Sequence, residues 1–335
     1  METSRLKSSV AELFVDAGID AGEMEVYPVS GGGNNKVVSV QTKTNRYIAK
    51  FYYSHPSDTR NRLAAEYSFL AYAFARGLSD VPKPIFCDRK NNIGLYEFIE
   101  GRKLDTAELK RQHIMAAASF IKALNAGTDR DPTLPVASEG CFSIEQHFSI
   151  VDNRLNRLLG LPGESEMEQQ ARSFVGELES SWKKTKEMIS AKAGSLSEEL
   201  GADDRCISPS DFGFHNALLK NSGDICFIDF EYAGWDDPAK MAGDFFLQPA
   251  VAVSLEHFDD FISEALDYSK NKAMLAERAR LLFPIFKIKW CCLMLNEFLP
   301  SAAKRRHFAN PNVDSEQSKQ LQLDKARQFF ISRKA

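Results

Sequence analysis

Apolar positions recur at helical spacing from Ser4 to Ala17, and then the pattern changes to alternation. From Met24 to Tyr53 three β-rich runs follow one another: E-V-Y-P-V-S, K-V-V-S-V-Q-T and R-Y-I-A-K-F-Y-Y, with a reversal at Lys43, Thr44 and Asn45. Alternating β-branched and aromatic residues separated by polar turns predict an antiparallel meander. Helical period returns over Pro56 to Ala75, with Leu63, Tyr67, Leu70 and Ala71 on one face. Two further strand-like runs, P-K-P-I-F-C-D and I-G-L-Y-E-F-I-E, flank a polar turn at Arg89 to Asn92. Beyond Gly101 the helical period dominates, over Thr106 to Ala126, Ile144 to Leu161, Glu166 to Ile189, Phe258 to Tyr268, Ala273 to Phe298 and Asp314 to Ile331. The pattern predicts an α+β chain in two lobes: residues 1–100 as a small sheet with one main helix, and 101–335 as a larger, mainly helical lobe.

Composition narrows the function classes. The 335 residues carry 44% apolar and 26% charged positions, an ordinary globular balance that can supply two cores. A net charge of -4 offers no basic footprint for nucleic acid or an anionic membrane, and neither is expected as a partner. No apolar window is long enough to cross a bilayer, and the first ten residues lack the core of a secretory signal, so a cytoplasmic protein is expected. The six cysteines form no C-x-x-C pair and the six histidines no H-E-x-x-H, which removes structural zinc and metal-hydrolase readings.

The chemistry is concentrated in S-P-S-D-F-G-F-H-N-A-L-L and C-F-I-D-F-E-Y. Asp211 and Asn216 stand five positions apart, and Asp229 follows thirteen after Asn216. Phosphoryl transfer needs a carboxylate to take the proton of an attacking hydroxyl, an amide on Mg²⁺, and a second carboxylate linking the metal to the nucleotide phosphates. Two apolar runs, Ala217 to Leu219 and Cys226 to Ile228, flank Asn221, Ser222 and Gly223, so a hairpin is predicted that returns Asp229 to the side of Asn216. Asp211, Phe212 and Gly213 also spell D-F-G, which would make Asp211 the metal ligand. That register requires an upstream Asp and Asn near residues 190 to 200, where A-K-A-G-S-L-S-E-E-L has neither. Asp211 is therefore assigned as base, with Asn216 and Asp229 as metal ligands.

The first lobe carries the complementary features. Gly31, Gly32, Gly33 and Asn34 lie between the first two strands, where glycines let backbone N–H groups approach phosphate oxygens. Lys50 sits among apolar residues of the third strand, where an unpaired ammonium is costly, and Glu66 on the following helix is its natural partner. The connector that ends the fifth strand can offer the Glu97 carbonyl and the Ile99 N–H to an adenine edge.

Together these residues resemble the aminoglycoside phosphotransferase and choline kinase superfamily, small-molecule relatives of the protein kinases. The resemblance runs from about Val26 to Phe246. It rests on Gly31 to Asn34, Lys50, Glu66, Y-E-F-I-E-G at Tyr96 to Gly101, D-F-G-F-H-N at Asp211 to Asn216 and I-D-F-E-Y-A-G-W-D-D-P at Ile228 to Pro238. It implies a bilobal kinase-like fold, ATP with Mg²⁺ as donor system, and a hydroxyl of an aminoglycoside, sugar or amino alcohol as acceptor. The family's acceptor pocket implies Glu231, Tyr232, Trp235, Asp236 and Asp237 as acceptor contacts, with Trp290 and Glu297 as further candidates. Acidic residues there suit an amino sugar, and an acid beside aromatics suits a quaternary ammonium. The absence of A-P-E after Asp229 points away from a protein kinase. One departure stands out: the family's histidine two positions before the catalytic aspartate is Pro209, which has no side-chain donor. A catalytically weak or inactive nucleotide-binding protein is therefore the rival reading. His215 is expected to brace the loop, and Asp244 to hold the segment after the metal aspartate.

Overall fold

The structure is a computed structural model that describes residues 2–20, 22–29, 34–56, 58–300 and 315–332. Its first part is a five-stranded antiparallel sheet of β1 (Glu25–Pro28), β2 (Lys36–Gln41), β3 (Arg46–Phe51), β4 (Pro84–Asp88) and β5 (Ile93–Glu97), in the order β1-β2-β3-β5-β4. The expected strands all form. β3 lies at the sheet centre, and its Lys50 is paired with Val37 on one side and Gly94 on the other. One face buries Val38, Val40, Ala49 and Leu95 against Val10, Leu13 and Phe14 of α1 (Glu2–Asp16), and the Phe14 ring meets Tyr47 edge-on at 5.2 Å. The opposite side receives α2 (Arg62–Ala75), which is capped by Asn61, whose Oδ1 accepts from Ala64 N at 3.0 Å. That cap starts the helix six positions later than the periodicity from Pro56 implies, because a side-chain acceptor must precede the first orphan N–H groups.

The rest of the described chain is helical around one apolar core: α3 (Arg111–Asn125), α4 (Ile144–Leu159), α5 (Glu166–Lys192), α6 (Pro238–Leu247), α7 (Phe258–Ala265), α8 (Lys272–Met294) and α9 (Ser315–Ser332). The expected helix from Thr106 is interrupted. Asp105 caps a single 3-10 turn at Thr106–Glu108, and α3 begins only at Arg111. The periodicity did not disclose α6, although Asp237 and Pro238 are a strong helix start: Asp237 Oδ1 accepts from Ala239 N at 2.8 Å, and a proline at the first turn loses no hydrogen bond. α9 buries Leu323, Ala326 and Phe329 and packs on α5 and α8. Among the described residues no helix is long and apolar enough to cross a membrane.

Two small sheets carry the loops of interest. β7 (Ala217–Leu219) and β8 (Ile225–Phe227) form the expected hairpin, turned at Gly223 with φ 90°, a conformation that suits glycine. The second pair was not expected: β6 (Cys206–Ser208) runs antiparallel to β9 (Gly234–Asp236), strands too short for a period-2 signal. Gly234 has φ 157°, and a Cβ there would collide with the Pro135 carbonyl, so the chain after Asp229 can return to β6 only through a glycine.

Candidate active site

The segment after β6 is held by groups on three sides. Ser208 Oγ accepts from Ser210 N at 3.0 Å and Pro209 O from Asp211 N at 2.9 Å, which puts Ser210 in the left-handed region with φ 67°. The Lys240 ammonium donates to Ser210 Oγ at 2.8 Å, and Ser210 Oγ donates to Ser138 O at 3.3 Å. Pro209 therefore does not leave the loop unbraced. Phe212 and Phe214 on either side of Gly213 are fully buried and meet Phe245 of α6 at 4.9 and 5.5 Å, anchoring the loop in the core. Burying such side chains contributes roughly 1.5–3 kcal/mol each.

Asp211, Asn216 and Asp229 are brought together. Asn216 Nδ2 donates to the Asp211 backbone oxygen at 3.1 Å and to Asp211 Oδ2 at 3.3 Å. Beyond the hairpin, Ile228 N donates to Asn216 O at 2.9 Å, so Asp229 ends beside Asn216 for the geometric reason the hairpin supplies. His215 Nε2 lies 3.1 Å from Asp211 Oδ1. Burial alone would raise the Asp211 carboxyl, and the neighbouring His215 and Asn216 outweigh it, holding it below the usual aspartate range. Asp229 adopts φ 70°, uncommon for a residue with a side chain, and Glu139 has φ 54°. Among the described residues, three of the four left-handed positions other than glycine thus belong to this region, a clustering characteristic of functional sites.

Across from the hairpin, Lys50 Nζ donates to Glu66 Oε1 at 2.7 Å, to Glu66 Oε2 at 2.9 Å and to Asp229 Oδ1 at 2.8 Å. Glu66 also accepts from Tyr52 OH at 2.7 Å. Burial would lower the Lys50 ammonium, but the charges of Asp229 and Glu66 outweigh it and hold the group above the ordinary lysine value. Glu97 ends β5, donating its backbone N–H to Lys83 O at 3.0 Å. Ile99 is half-buried in the connector, and its N–H makes no backbone hydrogen bond among the described residues. Gly31, Gly32 and Gly33 lie outside the described residues.

The expected acceptor contacts lie in different surroundings. A cleft of about 1180 Å³ runs beside Asp211, and Tyr232 lines it. Glu231, Trp235 and Asp236 are not among its lining residues, and their polar atoms make contacts elsewhere. Glu231 accepts from Asn34 Nδ2 at 2.9 Å and from Asn35 Nδ2 at 2.6 Å, tying down the residues that follow the glycine run. Asn34 also donates to Tyr232 OH at 2.9 Å. Trp235 donates its indole N–H to Asp131 O at 3.1 Å. Asp236 is fully buried and accepts from Lys240 Nζ at 2.7 Å. Asp237 is spent on His147 Nε2 at 3.0 Å and on Arg278 Nε at 2.9 Å.

Other cleft residues carry no sequence signal, because they come from separate elements. Glu139 precedes α4, Arg154 lies on α4 and Lys289 on α8. Asp244, on α6, accepts from Lys289 Nζ at 2.9 Å and Trp290 Nε1 at 3.2 Å. The aspartate thus holds α6 to α8.

The donor set suits Mg²⁺, a hard cation that takes oxygen ligands and keeps several waters, so that a few protein oxygens suffice. Asn216 Oδ1 and Asp229 Oδ2 accept no hydrogen bond among the described residues.

The family model described as "Phosphotransferase enzyme family" matches residues 25–240. Among solved structures, a choline kinase from Cryptosporidium parvum Iowa II superimposes with a TM-score of 0.60 at 13% identity, covering 97% of each chain. A spectinomycin phosphotransferase in complex with ADP and spectinomycin gives 0.61 at 14% identity, covering 96% of this chain and 98% of that one. A choline/ethanolamine kinase family protein from Mesorhizobium loti gives 0.59 at 15% identity, covering 98% of this chain and 95% of its own. At such identities the likeness is one of fold, a kinase-like α+β architecture. No curated protein sequence matches the chain.

Proposed function

Because the chain belongs to the phosphotransferase enzyme family, we propose that it transfers the γ-phosphoryl group of ATP to a hydroxyl of a small molecule, with Mg²⁺. The observation that carries the reading is the convergence on one point of Asp211, Asn216, Asp229 and Lys50, contributed by the second part of the chain and by the first. Asp211 takes the proton of the acceptor hydroxyl as its oxygen bonds to the γ-phosphorus. The bond from that phosphorus to the bridging oxygen breaks, and its electron pair leaves with ADP. Lys50, oriented by Glu66, holds the α and β phosphates, with the backbone N–H groups of Gly31, Gly32 and Gly33 as further phosphate donors. Glu97 and Ile99 read the adenine edge through backbone atoms. Asn216 and Asp229 would hold Mg²⁺, which would supply positive charge to neutralise the phosphates. The acceptor enters by the cleft beside Asp211, and a cytoplasmic setting supplies the nucleotide.

The rival, a nucleotide-binding protein without turnover, rested on Pro209. The bonds that Ser208, Ser210 and Lys240 make around that residue weaken the argument. The test is Mg²⁺-dependent transfer of label from ATP to a panel of sugars, amino alcohols, aminoglycosides and a peptide. Asp211→Ala should lose about a thousandfold or more in turnover while still binding nucleotide, and Asp229→Ala should lose both. Wild-type turnover in either variant would defeat the assignment.

A further inference from the structure

The charges lining the cleft are unevenly engaged. Asp58 accepts from Arg60 Nε at 2.7 Å and Arg62 at 2.7 Å, and Glu139 accepts from Arg154 at 2.6 Å. Asp244 is shared by Lys289, Lys240 and Trp290. Asp211 is occupied by His215 and Asn216. Three of the four described carboxylates of the cleft, Asp58, Glu139 and Asp244, are thus paired with cations, and the fourth, Asp211, faces the acceptor hydroxyl. Among the described lysines and arginines of the cleft, Arg60, Arg154 and Lys289 are paired with those acids and Arg157 is not. Arg154 keeps a buried Nε with no hydrogen-bond acceptor, a group whose burial is costly when unmet. Arg157, one turn further along α4, lines the same cleft and makes no ion pair or hydrogen bond among the described residues.

We propose that the acceptor is a small hydroxy compound carrying a carboxylate, which is seated on the Arg154 and Arg157 guanidinium groups while its hydroxyl faces Asp211. The inference rests on the phosphotransferase reading and narrows it. Guanidinium groups suit this role because their forked N–H donors match the two oxygens of a carboxylate. A planar anion here neutralises Arg157 and meets the Arg154 guanidinium one turn away. Quaternary ammonium compounds and aminoglycosides meet the opposite situation, an unmatched cation at the wall and acids that, Asp211 apart, are already paired with cations.

The test separates binding from transfer. Calorimetry in Mg²⁺ and a non-hydrolysable ATP analogue compares 4-hydroxybutyrate, glycerate and gluconate with their amides, and with choline and kanamycin. At least one carboxylate should bind about tenfold or more tightly than its amide, the value of a charge-assisted contact, and Arg157→Gln should remove that difference by weakening the acid alone. A merely structural arginine would weaken acid and amide equally. Arg157→Glu should reverse the preference towards choline. Equal binding of every acid and its amide, no binding of any acid, or tight binding of choline or kanamycin that Arg157→Glu leaves unchanged overturns the carboxylate, whatever the transfer assay shows. Selective binding of the acid without transfer of label from ATP supports the carboxylate site and overturns the phosphotransferase reading instead.

Discussion

Lys50 Nζ lies 2.8 Å from Asp229 Oδ1, joining residues 179 positions apart, and the same ammonium spans both oxygens of Glu66. One cation thereby fixes α2 to the central strand and both to the hairpin. Lys50→Met should leave two carboxylates facing each other, one of them buried, and destabilise the protein by about 3 kcal/mol. Urea denaturation measures that loss, and nucleotide titration should show an affinity at least about tenfold weaker. Unchanged stability would mean that the pair is not formed in solution.

His215 touches Asp211 through Nε2, while Gly213 leaves its ring the space that a Cβ would occupy. If it positions the base, His215→Ala should lower kcat by about tenfold to a hundredfold and leave the KM for ATP near its wild-type value, with His215→Gln recovering part of the loss. A rise in the KM for ATP at constant kcat would assign the residue to nucleotide binding instead.

Lys240 is buried between Asp236 at 2.7 Å, Asp244 at 3.3 Å and Ser210 Oγ at 2.8 Å. Lys240→Met should cost about 3–5 kcal/mol, because Asp236 is left as an uncompensated buried charge, and adding Asp236→Asn should return part of it. Thermal and urea denaturation of the single and double variants measures the coupling. A double variant no more stable than Lys240→Met would show that the Asp236 charge is not the cause.

Asp237 supplies the pH dependence. Burial would raise its carboxyl, but the His147 hydrogen bond and the Arg278 charge outweigh it and bring it down to about 2 from 3.8. A folded value below the unfolded one stabilises above the unfolded value, and the stabilisation is lost as pH falls through the folded value. About 2 kcal/mol is therefore present above pH 4 and disappears towards pH 2. Urea curves for the wild type and Asp237→Asn should lie furthest apart near pH 7 and converge as pH falls below 4. A constant gap would remove the carboxylate charge as the cause.

Much of this was legible in local chemistry. The strands around Lys50 alternate clearly, and the turn at Gly223 announces the hairpin. Those signals are short-range: a period, a turn residue, a spacing along one hairpin. Acceptor contacts are not of that kind. Glu231 and Asp236 read as free acids in a loop, and only packing reveals that Asn34, Asn35 and Lys240 consume them. Glu139, Arg154, Arg157 and Lys289 share no pattern along the chain, since a cleft wall assembled from a loop and two helices leaves no periodic trace.

The sequence by itself determined the strand and helix alternation and the order of the chemical groups from Lys50 to Asp229, because hydrophobic period and turn chemistry act over a few residues. Tertiary structure alone decided which charges remain available. A carboxylate's role depends on what stands within hydrogen-bond distance of it, and around Asp236, Asp244 and Glu139 those partners come from other elements of the fold.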